Sequence, residues 1–150
     1  GLVRSVGVSN FLPEHLDQLI ADHGVAPSVN QVELHPLFPQ VAQVEANNAR
    51  GVRTQAWSPL MRGGELFTRP ELAAIAQTHE ATPSQVVLAW EIARGVVPLP
   101  KSATSSRQQE NLQAVALAAQ LTPQEIEAVN SLGTGTRIHP EQDPATWEEL

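Results

Sequence analysis

The stretch from Val52 to Lys101, VRTQAWSPLMRGGELFTRPELAAIAQTHEATPSQVVLAWEIARGVVPLPK, decides the fold. Val52 to Trp57 reads as a β-strand that stops at Ser58-Pro59. A glycine loop, Gly63-Gly64, leads to a helix predicted from about Pro70 to His79. A second helix starts at Thr82-Pro83, with threonine as cap and proline at the first helical position, where a missing N–H does no harm. Val86, Val87, Leu88, Trp90 and Ile92 surround this helix almost completely, so it reads as buried. Gly95 stops it, and Val96 to Leu99 forms the next strand, meeting Pro100-Lys101-Ser102. Two strands joined through helices imply a parallel pair.

The same rhythm extends in both directions. Ser5 to Ser9 is a first strand, followed by a helix opened by Pro13, striped by Leu16, Leu19 and Ile20, and closed by Gly24. Val29 to Leu34 is a second strand, and a proline loop carries it to a helix over Val41 to Arg50, closed by Gly51. Beyond the last strand, helices are predicted over Ser105 to Ala116 and from the Thr122-Pro123 cap, where Glu125 completes a capping box. From Gly133 onward the chain reads as loop. Strand alternating with helix four times gives an α/β fold with a parallel sheet and no internal domain boundary.

Composition narrows the function. The chain has 150 residues, 41% hydrophobic and 17% charged, with a formal net charge of −7. That acidity disfavours nucleic acid and anionic lipid as partners. With no cysteine there is no disulfide scaffold, no thiolate metal site and no cysteine nucleophile. No apolar run approaches bilayer length, and no signal peptide opens the chain, so a soluble, cytoplasmic protein is expected. The five histidines lack metal-ligand spacing, and His35 reads as structural. The chain also begins at Gly1 inside an apolar run, which suggests a truncated protein.

In parallel βα folds, ligand chemistry gathers at the carboxyl ends of strands. Here those ends carry Ser9 and Asn10, Gln31 and Glu33, Trp57 and Ser58, and Lys101 and Ser102. Amide partners, an aromatic platform and a cation before a helix start suit a nucleotide cofactor.

Spacing adds a family resemblance. Arg4-Ser5-Val6-Gly7-Val8-Ser9-Asn10-Phe11 resembles the central signature of the aldo-keto reductases. Leu99-Pro100-Lys101-Ser102, continued by Arg107, Glu110-Asn111 and Ala114, matches the C-terminal signature of that family. Val29 to Pro36 and Ala56 to Leu60 look like family segments in the same order, most similar to the bacterial 2,5-diketo-D-gluconate reductase-like members. The resemblance implies that residues 1–150 are the C-terminal half of a (β/α)8 TIM barrel: its last four βα units, a C-terminal helix and the tail.

It also implies NADP(H) as cofactor. Ser9, Asn10 and Gln31 would hydrogen-bond the nicotinamide carboxamide, and Trp57 would stack on its ring. Ser58 and Leu60 would line the pyrophosphate path. Lys101, Ser102, Thr104 and Arg107 would hold the 2′-phosphate, with Glu110 and Asn111 near the adenine. Where the family commonly has glycine after Ser-Pro-Leu, this chain has Met61, a side chain expected to crowd the closing loop.

The catalytic set of the family, an aspartate, a tyrosine, a lysine and a histidine, comes from the other half of the barrel. This chain contains no tyrosine, and Lys101 is its only lysine. No catalytic residue is assigned, and no metal. The expectation is a fragment of an NADPH-dependent enzyme that reduces a small-molecule carbonyl when whole, and is inactive alone. The alternative is a catalytically silent half-barrel that binds NADP(H) or a protein partner. Two open sheet edges and an apolar inner face would make the isolated half self-associate.

Overall fold

The computed structural model describes residues 2–146. Four strands, β1 (Gly7–Ser9), β2 (Val29–Glu33), β3 (Arg53–Trp57) and β4 (Val97–Pro98), form one sheet. They lie side by side in chain order, all parallel. Between and after them run α1 (Pro13–His23), α2 (Val41–Ala49), α3 (Pro70–Thr78), α4 (Pro83–Ala93), α5 (Ser105–Ala118) and α6 (Pro123–Asn130). This is the half-barrel of four βα units that the sequence predicts. β4 is shorter than expected because Pro98 and Pro100 have no N–H to give to a ladder. Short 3₁₀ turns at Gly64–Thr68 and Pro140–Gln142 occupy segments read as loop.

Helix starts follow the chemistry of their caps. Pro13, Pro70, Pro83 and Pro123 each sit at a helix N-terminus. Thr82 and Thr122 accept from the backbone N–H of Gln85 and Glu125, whose side chains accept from the threonine N–H in return. Such a box contributes about 1 kcal/mol to the helix it opens. Glu125 also bonds His79 at 2.8 Å, tying α6 to the end of α3.

Alternation along the strands separates the faces of the sheet. Asn30, Val32, Thr54 and Ala56 point toward the helices and are buried. Gln31, Arg53, Gln55 and Trp57 point the other way, to the open concave face, where Gln31 and Gln55 bond at 3.1 Å. The inner face expected to be apolar is therefore largely polar. Amides rather than leucines pave its centre.

The core lies between sheet and helices, and α4 runs through it, packed against α3, α5, α6 and β4. Every residue from Gln85 to Glu91 is buried, as the all-round apolar pattern requires. Trp90 is fully buried and donates from Nε1 to Asn130 Oδ1 at 3.0 Å.

Glu91 is the exception within that helix. It is fully buried, and neither carboxylate oxygen has a hydrogen-bond partner among the described residues. Burial pushes its pKa well above the ordinary carboxylate value, against a smaller opposing pull from Arg94. A group whose pKa is higher folded than unfolded favours the fold below its unfolded pKa. That contribution disappears as pH rises toward the folded value, by about 1.4 kcal/mol per pH unit. Glu91→Gln is therefore expected to stabilise the protein at pH 8, by about 1–3 kcal/mol, and to change little at pH 4. Urea melts of both proteins at the two pH values check this, and an equal effect at both would contradict it.

Candidate cofactor site

Two clefts open at the carboxyl ends of the strands. The larger, about 810 Å³, lies between the β3 end and the β4–α5 turn. Ser58, Leu60, Lys101, Ser102, Arg107, Glu110 and Asn111 line it, all of them predicted site residues. The smaller, about 440 Å³, is lined by Ser9, Asn10 and Trp57 together with Phe11, His15, Glu33 and residues of the C-terminal tail. Trp57 and Ser58 are consecutive, so the two clefts meet at the end of β3. Two predicted residues lie outside both: Thr104 holds the position just before α5, and Gln31 sits lower on the open face, bonded to Gln55.

Backbone conformation marks the same places. Asn10 follows β1 with φ 58°, Ser58 follows β3 with φ 52°, and Met61 and Arg62 have φ 48° and 59°. Left-handed backbone costs a non-glycine residue about 1–2 kcal/mol. Its concentration at strand ends turns side chains and peptide groups toward the clefts. Met61 does not line the larger cleft. It packs against the core, and Arg62, Gly63 and Phe67 face the cleft in its place.

The larger cleft suits an anion at one end. Thr104 makes no side-chain cap bond, so the first N–H groups of α5 keep their donor capacity and the positive end of the helix dipole. Thr104 N–H donates to Ser102 Oγ at 3.2 Å, folding the turn over the helix start. Lys101 is exposed, and Arg107 stands in the first turn of α5. Neither forms an ion pair among the described residues. At the other side of the cleft, Glu110 Oε1 accepts from the Thr82 and Ser84 hydroxyls at 2.6 and 2.9 Å. Its second oxygen makes no such bond among the described residues.

In the smaller cleft, Trp57 Nε1–H donates to Asn10 Oδ1 at 3.0 Å, which fixes the indole across the cleft floor. Ser9 Oγ donates to Gln31 O at 2.9 Å. The tail forms the opposite wall. Thr134 N–H donates to Leu37 O at 3.0 Å, and the Arg137 guanidinium stacks 4.5 Å from the Phe38 ring centroid. Ile138 N–H donates to Glu33 Oε1 at 2.6 Å, and His35 Nε2 lies 3.0 Å from the same oxygen. Glu33 and His35 are buried, so this pair anchors the tail from beneath, as the structural reading of His35 anticipates. Arg137 and His139 thereby line the cleft.

Sequence reasoning passed over Arg62, Phe67 and Ser84 in the larger cleft and His15 and Arg137 in the smaller, and gave no specific role to Glu33, which it placed among the strand-end residues. No helix among the described residues is long and apolar enough to cross a membrane.

Residues 1–134 match the model of the Aldo/keto reductase family. The chain is 47% identical over 150 residues to 2,5-diketo-D-gluconic acid reductase B of Corynebacterium sp. (strain SHS752001), covering 100% of this chain and 53% of that protein. It is 40% identical over 145 residues to methylglyoxal reductase DkgA of Yersinia pestis, covering 95% of this chain and 51% of the relative. A solved structure of Gox0644 in complex with NADPH superposes with a TM-score of 0.88 at 36% identity, covering 99% of this chain and 54% of that one. An aldo-keto reductase of the silkworm Bombyx mori in complex with NADP superposes at 0.84 with 30% identity, covering 95% and 50%. The chain thus spans about half the length of the relatives it matches.

Proposed function

The chain belongs to the aldo/keto reductase family, and from that premise we propose that it is the NADP(H)-binding half of a carbonyl reductase. The whole barrel would reduce a small-molecule aldehyde, ketone or keto-sugar acid to the alcohol. A cytoplasmic setting belongs to the same proposal. The observation that carries it is the larger cleft, where Lys101, Ser102 and Arg107 surround the uncapped start of α5.

Each part of the site has a task under this reading. The 2′-phosphate lies against the α5 N-terminus, with Lys101 as a point charge and Arg107 as a two-pronged donor. Ser58 and Leu60 border the path between the clefts. Glu110 and Asn111 meet the adenine. Asn10 and Ser9 orient the carboxamide, and the Trp57 ring covers the nicotinamide face. When bound, NADPH supplies the hydride. Protonation of the carbonyl oxygen needs an acid within hydrogen-bond reach. The chain has no tyrosine to serve, and its single lysine belongs to the phosphate end.

Binding without turnover is therefore expected of this chain alone. NADPH should quench tryptophan fluorescence, and Trp57→Phe should remove most of that quenching. No NADPH should be consumed with methylglyoxal or 2,5-diketo-D-gluconate, the compounds in the relatives' names. Steady NADPH oxidation by the purified chain would overturn the assignment of the acid to the other half. The same sample should self-associate in light scattering. Among the described residues the outer edges of β1 and β4 are unpaired, with Leu2, Val3 and Val6 exposed near one and Val97 and Leu99 near the other.

A further inference from the structure

We propose that Asn30 is a positioning residue for the nicotinamide end of the site. Its buried amide fixes the Phe11 peptide groups, and so sets Asn10 and the Trp57 indole that Asn10 holds. The structural part stands on hydrogen bonds alone. Its consequence for binding rests on the dinucleotide reading above.

The ladder between β1 and β2 ends where Asn10 N–H donates to Gln31 O at 2.9 Å. Asn10 then takes φ 58° and turns the chain out of the sheet. The next peptide groups, on Phe11, have no strand to pair with. Asn30 supplies both partners from β2. Its Oδ1 accepts from Phe11 N–H at 3.3 Å, and its Nδ2 donates to Phe11 O at 2.8 Å. A side-chain amide thus stands in for one more residue of neighbouring strand.

The amide is itself held by Asn47, within a network that also grips Phe11 O. Gln43 from α2 donates a second hydrogen bond to Phe11 O at 3.1 Å. Asn47 Oδ1 accepts from Asn30 at 3.3 Å and from Gln43 at 2.9 Å, while Asn47 Nδ2 donates to Thr54 Oγ1 at 2.9 Å. All four side chains are buried, and none lines either cleft. Placing such a network in a core is expensive unless fully satisfied, and a satisfied one enforces a single arrangement. The backbone it grips is covalently next to Asn10, whose Oδ1 receives the Trp57 indole N–H at 3.0 Å.

Two variants of the full chain test this, Asn30→Ala and Gln43→Met, each read in two ways. The first readout is the indole ¹H–¹⁵N resonance of Trp57 without cofactor, assigned through Trp57→Phe. The Trp90 indole, held by Asn130, serves as the internal reference. The Trp57 resonance should move in Asn30→Ala while that of Trp90 stays. The second readout is NADPH affinity, expected to weaken about tenfold for Asn30→Ala, as for loss of one well-placed hydrogen bond. Gln43→Met should act in the same direction and less strongly, and it decides the matter if Asn30→Ala does not fold. A folded variant whose Trp57 resonance is unmoved, or moves only together with that of Trp90, overturns the proposal. If the unaltered chain binds no NADPH while Trp57 still responds to Asn30, the positioning role stands and the dinucleotide reading falls.

Discussion

Replacing both Lys101 and Arg107 by alanine is expected to weaken NADPH binding by more than about a hundredfold while leaving NADH binding nearly unchanged. Charge-assisted hydrogen bonds contribute about 1.5–3 kcal/mol each, and 1.4 kcal/mol is tenfold in affinity. Both side chains face solvent, so each belongs at the lower end of that range. Single variants should accordingly lose about tenfold each. The selectivity arises because the two cofactors differ only in the 2′-phosphate, which the α5 N-terminus and these cations would meet. Salt should weaken NADPH binding more than NADH binding, since exposed charges are screened over about 10 Å at 0.1 M. Titration calorimetry with the two cofactors reads the difference. Equal losses for NADPH and NADH would show that the cleft does not recognise the phosphate.

The second large effect concerns stability. Trp90→Ala should destabilise the fold by about 3–5 kcal/mol, the usual result of deleting a fully buried aromatic. For a domain of this size, that lowers the melting temperature by about 10 °C. The indole does three things in one place. It fills the space among the core helices, satisfies Asn130 on α6, and carries the Arg94 guanidinium 4.5 Å above its ring. Trp90→Phe retains most of the volume but leaves the Asn130 carbonyl unpaired, so a loss of about 1–2 kcal/mol is expected. Urea midpoints for the two variants separate packing from hydrogen bonding. A Trp90→Ala protein as stable as its parent would mean that α4 is not the centre of the core.

Much of this was legible because the punctuation is local. Prolines at helix starts, two threonine capping boxes and the near-continuous apolar surface of α4 are short-range signals. They put every strand in its place to within a few residues. The gathering of Lys101, Ser102 and Arg107 at one cleft was equally legible, since they lie within one turn and the helix that follows it. What escaped notice depends on backbone conformation or on distance. Arg62 faces the cleft because Met61 and Arg62 are left-handed, which no propensity of methionine or arginine announces. The polar concave face depends on strand alternation placing Gln31 opposite Gln55, a register that neither strand reveals alone. The expectation of an apolar inner face came from treating the inside of a barrel as ordinary core. Glu33 could be seen at a strand end, but its partner, the Ile138 amide, is 105 residues away.

That separation has a bearing on the order in which the molecule comes together. Thr134 reaches back to Leu37, and Ile138 to Glu33, so the wall of the smaller cleft unites segments far apart in the chain. Closing so long a loop costs little more at equilibrium than closing one half its length, because the entropy grows only with the logarithm. Kinetically the difference is large, since such a contact must wait for both of its ends. During synthesis the strands and their helices can assemble while the tail is still inside the ribosome. The larger cleft, made from residues before the tail, is then ready first. The smaller one acquires its wall last, and would be the first to lose it when the protein begins to open.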